Sequence, residues 1–219
     1  MPRALFEKTG NAIYISHLDL MRVFQRAFKR AGLLLTHTQG YNPRPSVSIA
    51  LPLSVGVESH CELLDFDLYG EKLPNDEILD RLNSSLVTGV KVLAVYDDAD
   101  KIKNLAYLDC MVTMEYDQGI PENALTAITS LFAQTEVIVE KKSKNGIKEE
   151  NIIPMIRKLT VSSAGDHTLE ISARICCQNP TLNPMQLSAA IEKYLPEYKA
   201  DFVKCSRVEV YDTNENLFR

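Results

Sequence analysis

Twice along 219 residues the spacing of apolar side chains changes in the same order: strand, helix, strand, strand, helix, strand. Strands repeat an apolar face every second residue and helices about every 3.6, so this succession restricts the architectures open to the chain. In the first pass, residues 3–16 (RALFEKTGNAIYIS) read as a strand or hairpin around the turn Thr9-Gly10-Asn11. A helix over 18–31 follows, then the run VSIALPLSV, which Pro52 marks as an edge or bulge. ELLDFDLY (62–69) alternates like a half-buried strand, 74–86 reads as a helix and 90–97 as a strand. A polar tract, DDADKIKN (97–104), separates the halves.

The second pass runs AYLDCMVTMEY (106–116, strand), PENALTAITSLFAQ (121–134, helix) and EVIVEKK (136–142, strand). HTLEISARICC (167–177) is a strand, NPMQLSAAIEKYL (183–195) a helix and FVKCSRVEVYD (202–212) a closing strand. Residues 147–164 fit least, and IIPMIRKL within them has the look of a short inserted helix. The expected fold is α+β: two tandem ferredoxin-like (βαββαβ) units with antiparallel sheets, over 1–104 and 105–219.

No apolar run approaches the ~18 residues a bilayer requires, and MPRALFEKTG carries no signal-peptide core, so a cytoplasmic protein is expected. Five cysteines (61, 110, 176, 177, 205) lie mostly in strand-like apolar runs and read as small buried hydrophobes in a reducing compartment. With no CxxC, HExxH or GxxxxGK[ST], neither a metal site nor a nucleotide loop nor a cofactor is expected. Glu58, His60 and Glu62 form at most an acid-histidine-acid face of a strand.

The net charge of −5 conceals an asymmetry. Residues 1–47 hold seven Lys/Arg (3, 8, 22, 26, 29, 30, 44) against only Glu7 and Asp19. Four of these cations fall on one side of the 18–31 helix: Arg22, Arg26, Lys29 and Arg30. Ser16 and Asp19 suit a capping box at its start, and Gly32 a left-handed cap after its end. A solvated helix face accounts for such a stripe, and so does a binding surface for an anion, because Arg pairs bidentately with phosphate or carboxylate. His17 stands at the helix N-terminus, where free N–H groups favour anions. The loop Gly40-Tyr41-Asn42-Pro43-Arg44-Pro45 is stiffened by two prolines, and His37 precedes it.

From these residues comes an expected anion- or RNA-binding set: His17, Arg22, Arg26, Lys29, Arg30, His37, Tyr41, Asn42 and Arg44. Tyr14 and Tyr41 would stack on bases of single-stranded RNA. An alternative makes His17, His37, Tyr14 and Tyr41 the acid–base set of a metal-independent endoribonuclease. A third reading is a scaffold whose arginines meet acids of a partner or of residues 58–80. The basic turn KKSKNGIK (141–148) is either a solvated hairpin tip or a second RNA contact.

The run Ser16-His17-Leu18-Asp19, Arg22, Arg26, Arg30-Ala31-Gly32, Gly40-Tyr41-Asn42-Pro43-x-Pro45, Pro52-Leu53, Gly56-Val57-Glu58-Ser59 and Glu62 resembles a bacterial family of unknown function, DUF2344. Its members are also called radical SAM-linked proteins. The resemblance covers close to the whole chain, more loosely in its second half. Tyr41 stands where many members have Phe, and Arg44 where His or Lys is frequent. The resemblance implies a partner, a radical SAM enzyme of the B12-binding type encoded separately, and points toward RNA; it transfers no catalytic residue. The C-x3-C-x2-C cluster motif of such enzymes is absent, so the chemistry is expected to belong to the partner. The expected function is therefore that of a non-catalytic accessory protein that recognises RNA.

Overall fold

The computed structural model describes residues 1–97, 99–143 and 146–219. They divide into two compact units: residues 1–104 with 217–219, and residues 105–216. Unit 1 runs β1 (Arg3–Lys8), α1 (His17–Arg30), β2 (Val47–Ile49), β3 (Glu58–Phe66), α2 (Asn75–Asn83) and β4 (Val90–Tyr96). β1 lies between β3 and β4, antiparallel to both, and β2 pairs antiparallel with β3, giving the order β4-β1-β3-β2.

Period-two alternation puts Ala4, Phe6, Leu64, Phe66, Val90 and Val92 into one core. The period of α1 brings Leu20, Phe24, Ala27 and Phe28 onto that core, and α2 adds Ile78 and Leu82. Phe6 meets Phe24 edge-on with ring centres 4.7 Å apart, a favoured aromatic geometry. Arg3, buried, grips Asp65 through two hydrogen bonds of 2.6 and 3.1 Å and lies over the ring of Phe218. Residues 217–219 therefore pack with unit 1, whereas the sequence reading assigned them to the second unit.

Residues 10–14 form a 3₁₀ turn, not the second arm of a hairpin. Gly10 takes a left-handed φ of 54°, and the Lys8 ammonium draws the following carbonyls inward. β3 starts at Glu58 and is buried over most of its length, so the half-buried strand expected at 62–69 is also corrected.

Unit 2 runs β5 (Leu105–Glu115), α3 (Ala124–Phe132), β6 (Ile138–Ser143), β7 (Gly146–Asn151), β8 (Ile156–Ser163), β9 (Thr168–Cys176), α4 (Met185–Tyr194) and β10 (Phe202–Asp212). Its sheet has the order β10-β5-β9-β8, each pair antiparallel, and β6 pairs only with β7. EVIVEKK thus belongs to a hairpin outside this sheet, and the strand comes from the stretch that fitted worst. Asn151 closes the hairpin base: its side-chain oxygen accepts from the N–H groups of Val137 and Ile153. A single 3₁₀ turn at 153–155 around Pro154 then delivers the chain into β8.

Cys61, Cys110, Cys177 and Cys205 are buried and Cys176 is half-buried, and among the described residues none forms a disulfide. Burial pushes the Cys177 thiol up to about 12 and that of Cys205 to about 11, so neither is a thiolate near neutral pH. The architecture is α+β with antiparallel pairing inside each unit and four α-helices among the described residues. Among those residues no helix is long and apolar enough to cross a membrane.

Candidate functional site

Helix α1 is fixed at both ends by its own sequence. Ser16, in an extended conformation, accepts the Asp19 N–H with its hydroxyl oxygen (3.2 Å) and donates its O–H to the Asp19 carboxylate (2.7 Å). At the other end the N–H groups of Gly32 and Leu33 return to the carbonyls of Lys29 and Phe28, with Gly32 at a φ of 69°. That double closure is the Schellman arrangement, and it stops the helix where the sequence placed its glycine.

Beneath the start of α1 lies a buried polar knot. The Lys8 side chain is 1% exposed and its ammonium donates to the carbonyls of Ile13 (3.1 Å) and Ile15 (2.8 Å). Burial lowers its pKa, while the nearby Glu62 carboxylate acts in the opposite direction. Ser59, also buried, donates its hydroxyl to Glu62 at 2.6 Å, and Gly56 N–H reaches the same Ile13 carbonyl at 2.9 Å. The knot sets where Ser16 can cap the helix and where His17, half-buried, enters it.

The four cations of the ridge are exposed, but they are not equally free. Arg22 pairs with Asp19 of its own first turn at 2.7 Å, and Arg30 donates to the Ser85 carbonyl. Among the described residues Arg26 and Lys29 meet no side-chain acceptor, and no acid of 58–80 reaches the ridge. Four of those acids are engaged or buried elsewhere: Asp65 with Arg3, Asp67 with Thr36, Glu77 with Arg81, and Glu62 in the interior. The hydrogen bond from Ser16, then that from Arg22, holds the Asp19 carboxyl below its ordinary range. Its contribution to stability is thus present above that range and is lost as pH falls through the lowered value. Ser16→Ala is expected to cost about 1 kcal/mol, the usual loss of an N-cap. It should also raise the Asp19 pKa toward its ordinary value, which a carboxylate-detected NMR titration measures.

After Gly32 the chain forms a short ladder with the end of β3. Leu35 bridges Leu68, Tyr69 N–H donates to the Leu34 carbonyl at 2.7 Å, and the Thr36 hydroxyl donates to Asp67 at 2.8 Å. Residues 37–45 then leave as a narrow ribbon closed by the His37–Pro45 bridge and by two bonds between Thr38 and Arg44. Tyr41, Asn42 and Arg44 are exposed, Tyr41 entirely so at 102%.

The ribbon is rooted at the level of Asp67, while the knot under His17 is at the level of Ser59. Eight strand positions separate these levels, about 25 Å at roughly 3.3 Å per residue. His17 and His37 therefore stand at opposite ends of unit 1, and the expected acid–base set of His17, His37, Tyr14 and Tyr41 does not assemble. Instead His37, Tyr41, Asn42 and Arg44 share an end with the last turn of α1, which holds Lys29 and Arg30. The proposed face of Glu58, His60 and Glu62 is also absent. A register shift between Phe6 and Lys8 breaks the alternation, leaving Glu62 buried and His60 exposed, 3.7 Å from Glu7. In the basic turn 141–148, residues 144–145 lie outside the described residues, and Lys141 is paired with Glu150 at 3.0 Å.

Residues 2–184 match DUF2344, described as an uncharacterised protein conserved in bacteria. The chain belongs to this family. Helix α1, the knot and the ribbon of this DUF2344 chain all fall within the matched residues. Among curated proteins none matches it in sequence. In fold it is similar to a chain from the crystal structure of a Cbf5-Nop10-Gar1 complex, at TM-score 0.53 and 8% identity. That likeness covers 95% of this DUF2344 chain and 48% of the other, so the chain spans about half the length of the structure it resembles. An unknown protein from Galdieria sulphuraria is matched at TM-score 0.26 and 13% identity, over 94% of this chain and 97% of that one.

Two parts of the site were missed from sequence. Lys8 entered only the charge tally of residues 1–47, with no sign that it is buried. Tyr69, 77% exposed, was read as the end of the half-buried strand 62–69, and Leu34, 63% exposed, was given no role. Only the pairing of 34–36 with 67–69 shows them to be neighbours.

Proposed function

We propose that this chain is a non-catalytic recognition protein of two ferredoxin-like units in tandem, which binds RNA through unit 1. The contacts come from Arg26, Lys29, Arg30 and Arg44 to phosphates and from Tyr41 to an unpaired base. The family resemblance adds the working partner, a separately encoded radical SAM enzyme, and both would meet in the cytoplasm.

One observation carries the reading. On the outward side of α1 the four cations share the carboxylate of Asp19, which pairs with Arg22 and also feels the charge of Arg26; an exposed pair of that kind holds its partner weakly. Among the described residues the ridge thus sets four cations against one carboxylate and offers donors to an outside anion. Its other end carries the ribbon, closed by its own Thr38–Arg44 bonds.

The test is fluorescence anisotropy of labelled RNA oligomers across a salt titration. Phosphate contacts release counterions, so log Kd should rise linearly with log salt, with a slope of about 2–3 for three to four contacts to a single strand. Affinity that is flat in salt, or no binding at low salt, overturns the RNA reading. For the partner, a tagged chain purified from its host should retain a radical SAM enzyme after ribonuclease treatment.

A further inference from the structure

β8 is the outermost strand of the unit 2 sheet, and among the described residues only β9 pairs with it. Every second residue of such an edge turns its N–H and C=O away from the sheet, where another strand can take them up. The two faces beside this edge differ in chemistry. Ile156, Leu159 and Val161 stand opposite the buried Ile175, Ala173 and Ile171 of β9, on the side that carries α3. There β8 and the last turn of α3 border a cleft of about 270 Å³. Phe132, Ile153, Ile156 and Leu159 line it and are only half-buried, so the chain leaves an apolar place unfilled along its own edge.

The same stretch of β8 turns its charge to the other face. A bulge inserts Arg157 between Ile156 and Lys158, and both cations reach one carboxylate, Glu215, at 3.5 and 3.7 Å. Arg174 holds Glu215 more closely, at 2.8 Å, and also engages Asp109. Glu215 thus serves three cations, and the side chains of Arg157 and Lys158 stay 50% and 69% exposed. A strand added to β8 would meet these two chemistries in alternation. Its residues on the α3 side enter the apolar cleft, and those on the other side lie beside Arg157 and Lys158. Bulges and lysines also serve to close sheet edges, but here they occupy only the start of β8. Residues 158–163 run in regular register with β9.

We propose that the β8 edge and the cleft beside α3 dock an extended segment of a partner protein, alternating apolar and acidic residues, which joins the unit 2 sheet as a further strand. This chain's own run of that type, residues 64–68 (LDFDL), is already paired in β3 and in the ladder after it, so a second copy cannot supply it. The docking edge lies in unit 2 and does not rest on RNA binding by unit 1.

The probe is a displayed library of random peptides about eight residues long, within the usual length of a strand, panned on the full chain. Enriched peptides should alternate apolar with acidic residues. Made singly, they should lose binding when one alternate set of their amides is N-methylated and keep it when the other set is, because an added strand pairs along one side only. Ala133→Phe, which fills the cleft from an exposed position, should abolish binding. Arg157→Glu with Lys158→Glu should weaken it about tenfold, the scale of two exposed ion pairs. Both variants should keep the circular dichroism of the parent, and the charge reversal decides the matter if Ala133→Phe does not fold. Failure to enrich alternating peptides overturns the proposal, as does affinity that ignores both the charge reversal and N-methylation of either set. A dimer of the full chain that the peptides dissociate would give the edge to a second copy and overturn it as well.

Discussion

Lys8→Met is expected to lower the unfolding free energy of the protein by about 3 kcal/mol, the scale of two hydrogen bonds from a charged donor at about 1.5 kcal/mol each. Methionine matches the lysine in length and suits a buried position, so packing volume changes little. What is lost is donation. The carbonyls of Ile13 and Ile15 lose the ammonium that holds them, and Glu62 loses the nearby opposite charge. Hydrogen bonds to charged groups contribute roughly 1.5–3 kcal/mol each, so this one site outweighs the helix cap above it. A urea titration followed by circular dichroism should show the midpoint falling by about 1 M or more. A midpoint within experimental error of the unmodified protein would mean the knot holds nothing in place.

The second large effect concerns binding alone. Arg26→Glu with Lys29→Glu should weaken RNA affinity about a hundredfold at low salt, since two charge-assisted contacts of about 1.5 kcal/mol each are lost and each ten-fold costs about 1.4 kcal/mol. The salt slope should fall by about 1.4, two contacts at roughly 0.7 each for a single strand. Folding should be unaffected: both side chains are exposed, and substitutions of that kind stay within about 0.5 kcal/mol. Arg26→Lys with Lys29→Arg preserves charge and should bind RNA nearly as the parent does. Unchanged affinity in the doubly reversed variant would place the RNA elsewhere or nowhere.

The parts of unit 1 that local chemistry determines could be read from the residues. Helix α1 was legible because Ser16 and Asp19 at its start and Gly32 at its end each act on backbone within a few positions of themselves, and its buried face follows from spacing alone. What depends on distant partners was not legible. Lys8 looks like any surface cation until the carbonyls at 13 and 15 and Glu62 are brought over it. EVIVEKK has better strand character than IRKLTVSS, yet the latter pairs with β9, because Asn151 folds the former into a hairpin of its own. The candidate site divides in the same way. Its cations were visible as a stripe, whereas the separation of His17 from His37 follows from the β2–β3 register, and the approach of Leu34 to Tyr69 from a bridge over more than thirty residues.

Phe218, fully buried against Arg3, ties the last residues of the chain to the first strand. The earlier-made unit is therefore completed only after the second one: everything from 105 to 216 must be synthesised before the aromatic plug exists. At about 5–20 residues per second, that leaves the N-terminal sheet waiting roughly 5–25 s with an unfilled place beside Arg3. During synthesis, its arginine and hydrophobic strand would be accessible to chaperones for that whole interval.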